Sequence, residues 1–446
     1  MINVLELRKA LEATMVEGDR PLTSRQKINK IFDVKESWQG NTLKASSKLD
    51  PAAVADLNNL SPAKLARDLL GPNYYTDIGN AVANPNHWCV AEAAGSISAQ
   101  LMQPIDLWSS TVLGMFGLKV LAAYQYAPVI FKDLCTEEST NIPAGHKRIR
   151  AAYDGSKPVG PLAEGQPADE VGAKPAWVWS PHTETYQLAC SMTLEGMLSE
   201  AAAGQFESAA KTVGEAIARN ENDRGIDIAF GRQNTYCYNS ETPDPVANTY
   251  QTSKGTAPLD FINSGTTVLA TADSLNTAFD ILSQNTDPVT GWRLGYDRAI
   301  DLWVHPGHYM SAAQIVHSMY NFTGDTTLSS ATQINQAPNP LNLAGYRIAL
   351  KDFTYITTDR MLLTGKTYTG GTKAAVASEA IAKKAWLFGN PKKSFTYEVL
   401  QALSSRTLPL SPDDYKHRVV FRGDAIVMSR FVVVEPRYTY LSQPAS

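Results

Sequence analysis

Residues Asn141 to Gly231 join two unlike halves, and what those halves need constrains everything else in the chain. The first half, Asn141 to about Thr193, has the pattern of two extended arms around a long tip. Ile149, Ala151 and Tyr153 on the way out, and Trp177 and Trp179 on the way back, alternate as strand residues do. Between them runs Gly155-Ser-Lys-Pro-Val-Gly-Pro-Leu-Ala-Glu-Gly-Gln-Pro, too rich in Gly and Pro to pack, so a turn and a mobile tip are expected. The second half, about Glu200 to Phe230, is helical in pattern. Phe206, Ala210, Val213, Ile217, Asn220 and Arg224 mark one face, and Glu207, Lys211, Glu215 and Arg219 the opposite one. Such a helix is a rod roughly 40 Å long. A two-stranded arm cannot bury both its faces on its own chain, and isolated hairpins are marginal in water. The arm therefore calls for a neighbour.

The chain has 446 residues, enough for two or three domains or one with insertions. With 43% hydrophobic and 19% charged residues it suits a globular protein with a sizeable core. A formal net charge of −4 gives no global attraction to nucleic acid or acidic membranes, so any contact with DNA is expected to be local and weak. Cys89, Cys135, Cys190 and Cys237 lie far apart, form no CxxC pair, and are read as buried free thiols. The start, Met1-Ile-Asn-Val-Leu-Glu-Leu-Arg, carries charge where a signal peptide needs an apolar run. Leu107 to Phe131 is apolar on balance but contains Lys119, and a charge near the middle of a span costs a few kcal/mol. A buried core helix is the expectation there, and no membrane partner.

Taken in order, residues 1–138 form a charged helical N-terminal leader or arm. Val4, Leu7 and Leu11 precede breaks at Gly18 and Pro21. Arg25 to Phe32 sets Ile28, Ile31 and Phe32 against Arg25, Lys27 and Lys30. Ser61-Pro62, then Leu65, Leu69, Leu70 and Gly71, have the cap, first-turn proline and terminal glycine of a short helix. The apolar region that follows is interrupted at Pro104. Residues 139–195 are the extended hairpin loop. Residues 196–284 hold the long helix and a surface insertion at 232–267, rich in Asn, Thr, Tyr, Pro and Gly, followed by a helix from Ala272 to Leu282. Residues 285–385 make the next domain. There Arg298 to His305 is a strand stopped by Pro306, Tyr309 to Tyr320 a helix, and Gly345 to Leu350 and Phe353 to Ile356 are strands. Residues 386–446 alternate as strands at Trp386–Gly389, Ser394–Leu400, His417–Arg422 and Phe431–Tyr440. The class is α+β, with neither βαβ alternation nor an internal repeat.

Candidate chemistry is sparse. His305 and His308 flank Pro306-Gly307 with no carboxylate between them, unlike the helical spacing of a zinc pair. Gly365-Lys-Thr lacks the glycine a phosphate loop needs, since position 360 is Arg. No GxSxG occurs, and Cys190 with His182 is read as coincidence. No cofactor, no metal and no enzymatic activity are expected.

The order of these parts resembles the tailed-bacteriophage major capsid protein family, the Hong Kong 97-type fold. The resemblance runs from about Ala91 to Leu441. It rests on the hairpin feeding into the long helix, on Arg298-Ala-Ile-Asp-Leu-Trp-Val-His-Pro-Gly-His-Tyr-Met, and on Asn339-Pro-Leu-Asn-Leu-Ala-Gly-Tyr-Arg-Ile. Its most specific part is the closing series Trp386-Leu-Phe-Gly-Asn-Pro-Lys-Lys-Ser-Phe, Asp414-Tyr-Lys-His-Arg-Val-Val-Phe-Arg-Gly-Asp and Val433-Val-Glu-Pro-Arg-Tyr.

The resemblance implies an extended loop, a spine helix, and peripheral and axial domains. It also implies hexamers and pentamers closing an icosahedral shell around packaged double-stranded DNA, within a virion assembled in the bacterial cytoplasm. Arg148, Arg150, Tyr153, Lys157, Glu164, Trp177 and Trp179 become subunit-interface residues of the loop. Phe206, Val213, Ile217 and Arg224 mark the spine helix, and Trp386, Phe388, Lys392, Arg418, Arg422 and Arg437 the closing strands. Some members join a loop lysine to an asparagine of the next subunit. Lys157 sits at the tip, but no partner Asn or activating Glu is identified, and a solvated or salt-bridged lysine is expected. The leader, broken by Gly18, Pro21 and Pro51 in a chain that starts at Met1, is expected to be retained, and the 232–267 insertion has no placed counterpart. Further partners are a scaffold, a portal, decoration proteins and DNA, the last through weak contacts of Arg25, Lys27 and Lys30. Rival readings are an encapsulin-like cargo compartment, a monomeric adhesin or tail component, and a hydrolase using His305 and His308.

Overall fold

A computed structural model of the chain describes residues 16–17, 20–21, 36–39, 42–45, 66–67, 104–150, 176–193, 195–196, 203–231, 236–238, 249–255, 260–287, 293–294, 299–317, 320–322, 336–338, 347–353, 367–368, 371–372, 384–407 and 419–443. The principal elements begin with helix α1 (Pro104–Tyr126), the short helix α2 (Phe131–Leu134) and strands β1 (Thr136–Ser139), β2 (His146–Arg150), β3 (Ala176–Ser180) and β4 (Glu184–Thr193). The long helix α3 (Ala203–Ala229) follows, then β5 (Ser264–Gly265), α4 (Ala272–Ser283), β6 (Ala299–Val304), α5 (Tyr309–His317) and β7 (Arg347–Asp352). The chain closes with β8 (Trp386–Gly389), the short α6 (Pro391–Ser394), β9 (Phe395–Thr407), β10 (Val419–Val433) and β11 (Thr439–Ser442). Helix and sheet are thus mixed, and α3, β8 and the start of β9 lie where the pattern put them. In the leader, Ala66 and Arg67 are helical, but Glu36–Gln39 pairs antiparallel with Thr42–Ala45 where no strand was expected. The other leader helices lie outside the described residues.

The chain divides into two compact units. The first takes Met1–Val129, Glu184–Glu221 and Val399–Ser429. Within it α1 opens on Pro104, a residue suited to the first helical turn, where its missing N–H leaves no hydrogen bond unmade. Val112, Met115, Phe116, Leu118, Val120 and Ala122 are buried, and among the described residues no helix is long and apolar enough to cross a membrane. Phe116, Phe206 and Phe421 meet edge to face, with centroids 5.1–6.1 Å apart, so α1, α3 and β10 share one core. Gly214 brings α3 close to α1: a Cβ there would lie 2.4 Å from the Val120 carbonyl oxygen.

Two expectations are corrected in this unit. The returning arm does not stay with the hairpin. It breaks at Pro181, and β4 pairs antiparallel with β10, from Glu184 opposite Ser429 to Thr193 opposite Val419. A proline can neither donate to a ladder nor continue a strand smoothly, which is why the chain changes sheets there. Second, His417–Arg422 and Phe431–Tyr440 do not stand as separate strands. Val419–Val433 is one strand, bulged between Val419 and Phe421, that runs straight through Gly423. Gly423 is no turn; a Cβ on it would meet the rings of Phe116 and Phe421 at 2.8 Å.

The second unit takes Ile130–Thr183, Asn222–Glu398 and Arg430–Ser446. Its centre is a five-stranded sheet in the order β7-β6-β8-β11-β5. β6 and β7 run parallel, from Ala299 opposite Arg347 to Val304 opposite Asp352, while β8 is antiparallel to β6 and to β11. Pro306 stops β6 as expected, and the His305 imidazole accepts a hydrogen bond from the Gly307 N–H at 3.1 Å, capping the turn that leads into α5. Leu275, Ala278 and Leu282 of α4 and Ala312 and Val316 of α5 pack on Ile300, Leu302, Val304, Trp386, Phe388 and Tyr440. Each large apolar side chain buried this way is worth about 1.5–3 kcal/mol. Helix α3 ends here at Gly231, whose φ of 62° suits the left-handed cap that glycine accepts without strain.

The insertion at 232–267 is not a surface feature throughout, a third correction. Tyr236, Cys237, Thr249, Phe261 and Asn263 are buried, and β5 extends the central sheet by pairing parallel with β11. Its polar side chains explain this. Asn263 donates to the carbonyls of Thr249 and Pro436 and accepts from the Gln251 N–H, so it satisfies backbone groups of the described residues around it where they are buried.

Candidate assembly site

The described part of the arm is β2 and β3, paired antiparallel from His146 opposite Ser180 to Arg150 opposite Ala176. β3 is held on its other edge by the Trp179 N–H donating to the Cys237 carbonyl at 3.0 Å, and by a bridge between Val178 and Tyr238. Trp177 and Trp179 stack edge to face at 6.4 Å, and the Lys147 ammonium lies 4.6 Å from the Trp177 ring centre. Opposite Trp177, Ile149 is 76% exposed. An isolated bulky apolar side chain on a thin two-stranded ribbon has no core of its own to enter.

What fixes the ribbon is a buried charge cluster at its root, contributed by the closing strands. Arg430 is 1% exposed; its Nε donates to Glu398 Oε2 at 2.5 Å. One terminal nitrogen donates to the carbonyls of Ala144 at 3.2 Å and Pro181 at 2.6 Å. The other reaches Thr140 Oγ1 at 3.4 Å and His146 Nδ1 at 2.9 Å. Glu398 Oε1 accepts from Ser180 Oγ at 3.1 Å and from Arg148 at 3.2 Å, and Arg148 also reaches Glu138 Oε1 at 2.6 Å. One guanidinium therefore ties both legs of the arm, residues 140–146 and 180–181, to β9 and β10. Buried charges persist only when every polar atom is engaged, and this set is densely satisfied. The His146 imidazole is held below its ordinary value, first by burial and then by the Arg430 charge.

Of the loop residues singled out from sequence, Arg148, Trp177 and Trp179 come together at this root; Arg150 lies in β2, and Tyr153, Lys157 and Glu164 lie outside the described residues. Phe206, Val213 and Ile217 are buried on one face of α3, and the Arg224 guanidinium sits 5.2 Å from the Phe431 ring centre. Trp386 and Phe388 are core residues of the five-stranded sheet, Lys392 is exposed, Arg422 is half-buried, and Arg418 lies outside the described residues. Arg437 is fully buried. It bonds Glu435 at 2.9 Å, Asp260 at 3.2 Å and the Tyr236 hydroxyl at 3.4 Å, and lies 4.5 Å from the Phe261 ring centre, so it ties the insertion to the chain's end. Sequence reasoning missed Arg430 and Glu398. Glu398 carried a signal, a charge between Tyr397 and Val399 in a strand; Arg430, between Ser429 and Phe431, carried a weaker one.

The remaining candidates have local explanations. His182 Nδ1 accepts from the Gly145 N–H at 3.3 Å. Cys135 and Cys237 are buried and Cys190 half-buried, all free; burial pushes Cys190 and Cys237 up to about 11 and Cys135 further. Among the described residues no group of His, Cys, Asp and Glu side chains is arranged to hold a metal ion. The Gly365-Lys366 pair lies outside them.

Comparison with known proteins follows the same direction. The model of a family described as phage capsid protein matches residues 181–440. No curated protein matches the chain. Among solved structures, the capsid of the cyanophage P-SCSP1u is similar at 14% identity and a TM-score of 0.42, over 72% of this chain and 89% of that one. The mature capsid of bacteriophage PhiM1 is similar at 11% identity and a TM-score of 0.40, over 72% and 88%. A virus-like particle from Pyrococcus furiosus is similar at 10% identity and a TM-score of 0.34, over 73% and 97%. With its family matched across more than half its length, from the end of the arm through α3 to β11, the chain belongs to the phage capsid protein family and is a structural protein of a phage shell.

Proposed function

We propose that this capsid protein is the major subunit of the head, built on the Hong Kong 97-type plan. Its copies close into hexamers and pentamers of an icosahedral shell that encloses double-stranded DNA. In this reading residues 139–195 are the extended loop, α3 is the spine helix, residues 285–385 form the axial domain, and residues 386–446 complete the peripheral domain. The observation that carries it is the arm root: a ribbon with an exposed Ile149 and a Trp177–Trp179 pair, anchored by a buried Arg430–Glu398 pair. A chain does not fix so firmly the base of an element that covers nothing of its own; the ribbon is built to lie on an adjacent subunit.

Cohesion in such a shell comes from area. A subunit that embraces several neighbours buries more than the few thousand Å² typical of permanent complexes, and symmetry multiplies each contact. No catalytic step is required. A scaffold, a portal, decoration proteins and weak, salt-sensitive DNA contacts are the further partners, and the bacterial cytoplasm is the site of assembly. Negative-stain electron microscopy of the purified chain, with its mass from light scattering, tests the proposal. Closed shells or capsomer rings are expected, and a stable monomer at low and high salt overturns it. A co-purifying enzyme inside the particles would reassign the shell to cargo storage.

A further inference from the structure

Arg430 holds the arm through contacts that respond differently to protons. The carbonyls of Ala144 and Pro181 accept its hydrogen bonds at any pH, whereas His146 Nδ1 accepts only while the ring is neutral. Arginine has no acceptor, so in this pose the neutral imidazole carries its proton on Nε2. The charged groups around it are Arg430 from β10, Arg148 from β2 itself and Glu398 from β9, with Glu138 of β1 engaging Arg148. Both oxygens of Glu398 are already taken, Oε2 by Arg430 and Oε1 by Arg148 and Ser180. A proton added to His146 would therefore meet two guanidinium groups and no uncommitted carboxylate oxygen; the Glu398 charge and the Ala144 carbonyl favour the protonated ring, but burial and the Arg430 charge outweigh them. His146 is also the first residue of β2, opposite Ser180, the last of β3, so it stands where the ribbon begins.

We infer that His146 is a proton-operated catch on the arm: neutral, it lets Arg430 tie the outgoing leg to β10; protonated, it breaks that tie and repels the leg, loosening the root. The use of such a catch rests on the reading of the arm as an assembly element; the catch itself is a property of the single chain. The sign is opposite to that of a histidine paired with a carboxylate. The folded state favours the neutral ring, so the tie is in place at about pH 6.5 and above and is lost as the pH falls through the ring's lowered folded value.

Hydrogen–deuterium exchange on the full-length chain, dilute enough to stay unassembled, tests this between about pH 7.5 and about pH 5.5. Corrected for the chemical pH dependence, exchange at residues 146–150 and 176–180 should quicken about tenfold on acidification, while β6 and β8 stay unchanged. In His146→Asn, whose side-chain oxygen takes about the place of Nδ1 and cannot be protonated in this range, the same amides should show no such quickening. A wild-type root indifferent to pH, or a His146→Asn root as sensitive as wild type, overturns the inference. Nitrogen NMR of the wild-type histidines gives a second reading that needs no variant. His146 should be the Nε2–H tautomer with a midpoint below the ordinary value, and the other tautomer or a midpoint above it overturns the inference. Neither measurement depends on shells forming, so a failed catch and a failed capsid reading are told apart.

Discussion

Arg430 of β10 and Glu398 of β9 meet at 2.5 Å with side chains 1% and 4% exposed, and the same pair reaches both legs of the arm. An ion pair so far from water is a poor source of net stability, because desolvating two charges offsets most of their attraction. Its value lies in direction: the guanidinium fork has fixed geometry, and its contacts set how the root of the ribbon is held.

Breaking the pair from one side should therefore be worse than removing it. Arg430→Ala leaves Glu398 Oε2 and the Ala144 and Pro181 carbonyls unmatched, with Arg148 and Ser180 still on Oε1, and should cost about 3–5 kcal/mol by denaturant titration. Arg430→Met with Glu398→Leu should recover much of that loss in the same titration, while exchange at residues 146–150 remains faster than wild type. A double variant as unstable as the single one would mean that the pair contributes net stability rather than arm geometry.

Arg437 plays a corresponding part for the insertion, since Tyr236, Asp260 and Phe261 all belong to residues 232–267 and all contact its guanidinium. Arg437→Met should lower stability by about 3–5 kcal/mol, because Glu435 stays buried at 1% exposure without its counter-charge. The loss should be local first: amides at 236–238 and 261–265 should exchange sooner than those of β6 and β7. Uniform loss of protection would show that the insertion unfolds only with the whole unit.

Much of this architecture was legible in the sequence. The face of α3 marked by Phe206, Val213 and Ile217 is buried, and Pro306 ends β6, because helical periodicity and a missing N–H act within one segment. What was hidden depends on pairing between distant segments. That β4 abandons the hairpin for β10 follows from a register between segments far apart in sequence, from Glu184 opposite Ser429 to Thr193 opposite Val419, and that one strand runs through Gly423 is clear only once the rings of Phe116 and Phe421 are set beside it. The root cluster was hidden for the same reason. Arg430 and Glu398 look like ordinary strand charges until Thr140, Ala144, His146, Ser180 and Pro181 converge on them.

Gly214 offers a test in which local and tertiary effects have opposite signs. Inside an exposed helix, Gly→Ala should gain about 1 kcal/mol. Here the added Cβ would lie 2.4 Å from the Val120 carbonyl oxygen and 2.8 Å from the Ala123 Cβ, contacts that α1 can relieve only by moving as a backbone. Gly214→Ala should instead destabilise the first unit by about 1–3 kcal/mol in thermal or denaturant unfolding. A neutral or stabilised variant would show that the two helices are not in close contact in solution.

Lys119 supplies the last expectation, and its sign runs against the intuition that ion pairs stabilise. Its side chain is 5% exposed within α1, and its charge partner Glu207 is 3.9 Å away and 40% exposed, a long contact that solvent weakens. Burial lowers the ammonium below its usual value, with Glu207 opposing in part, so the charged form is less favourable in the fold than in the unfolded chain. For a base depressed in this way the penalty is complete below the folded value and fades as the pH rises towards 10.5. Lys119→Met keeps the length of the side chain and removes the charge, and should stabilise the first unit by about 1–2 kcal/mol at neutral pH. That gain should shrink in titrations run at increasingly alkaline pH. If Lys119→Met instead lowers stability at neutral pH, the ammonium is bound more favourably than its burial implies, and the contact with Glu207 must be closer in solution than 3.9 Å.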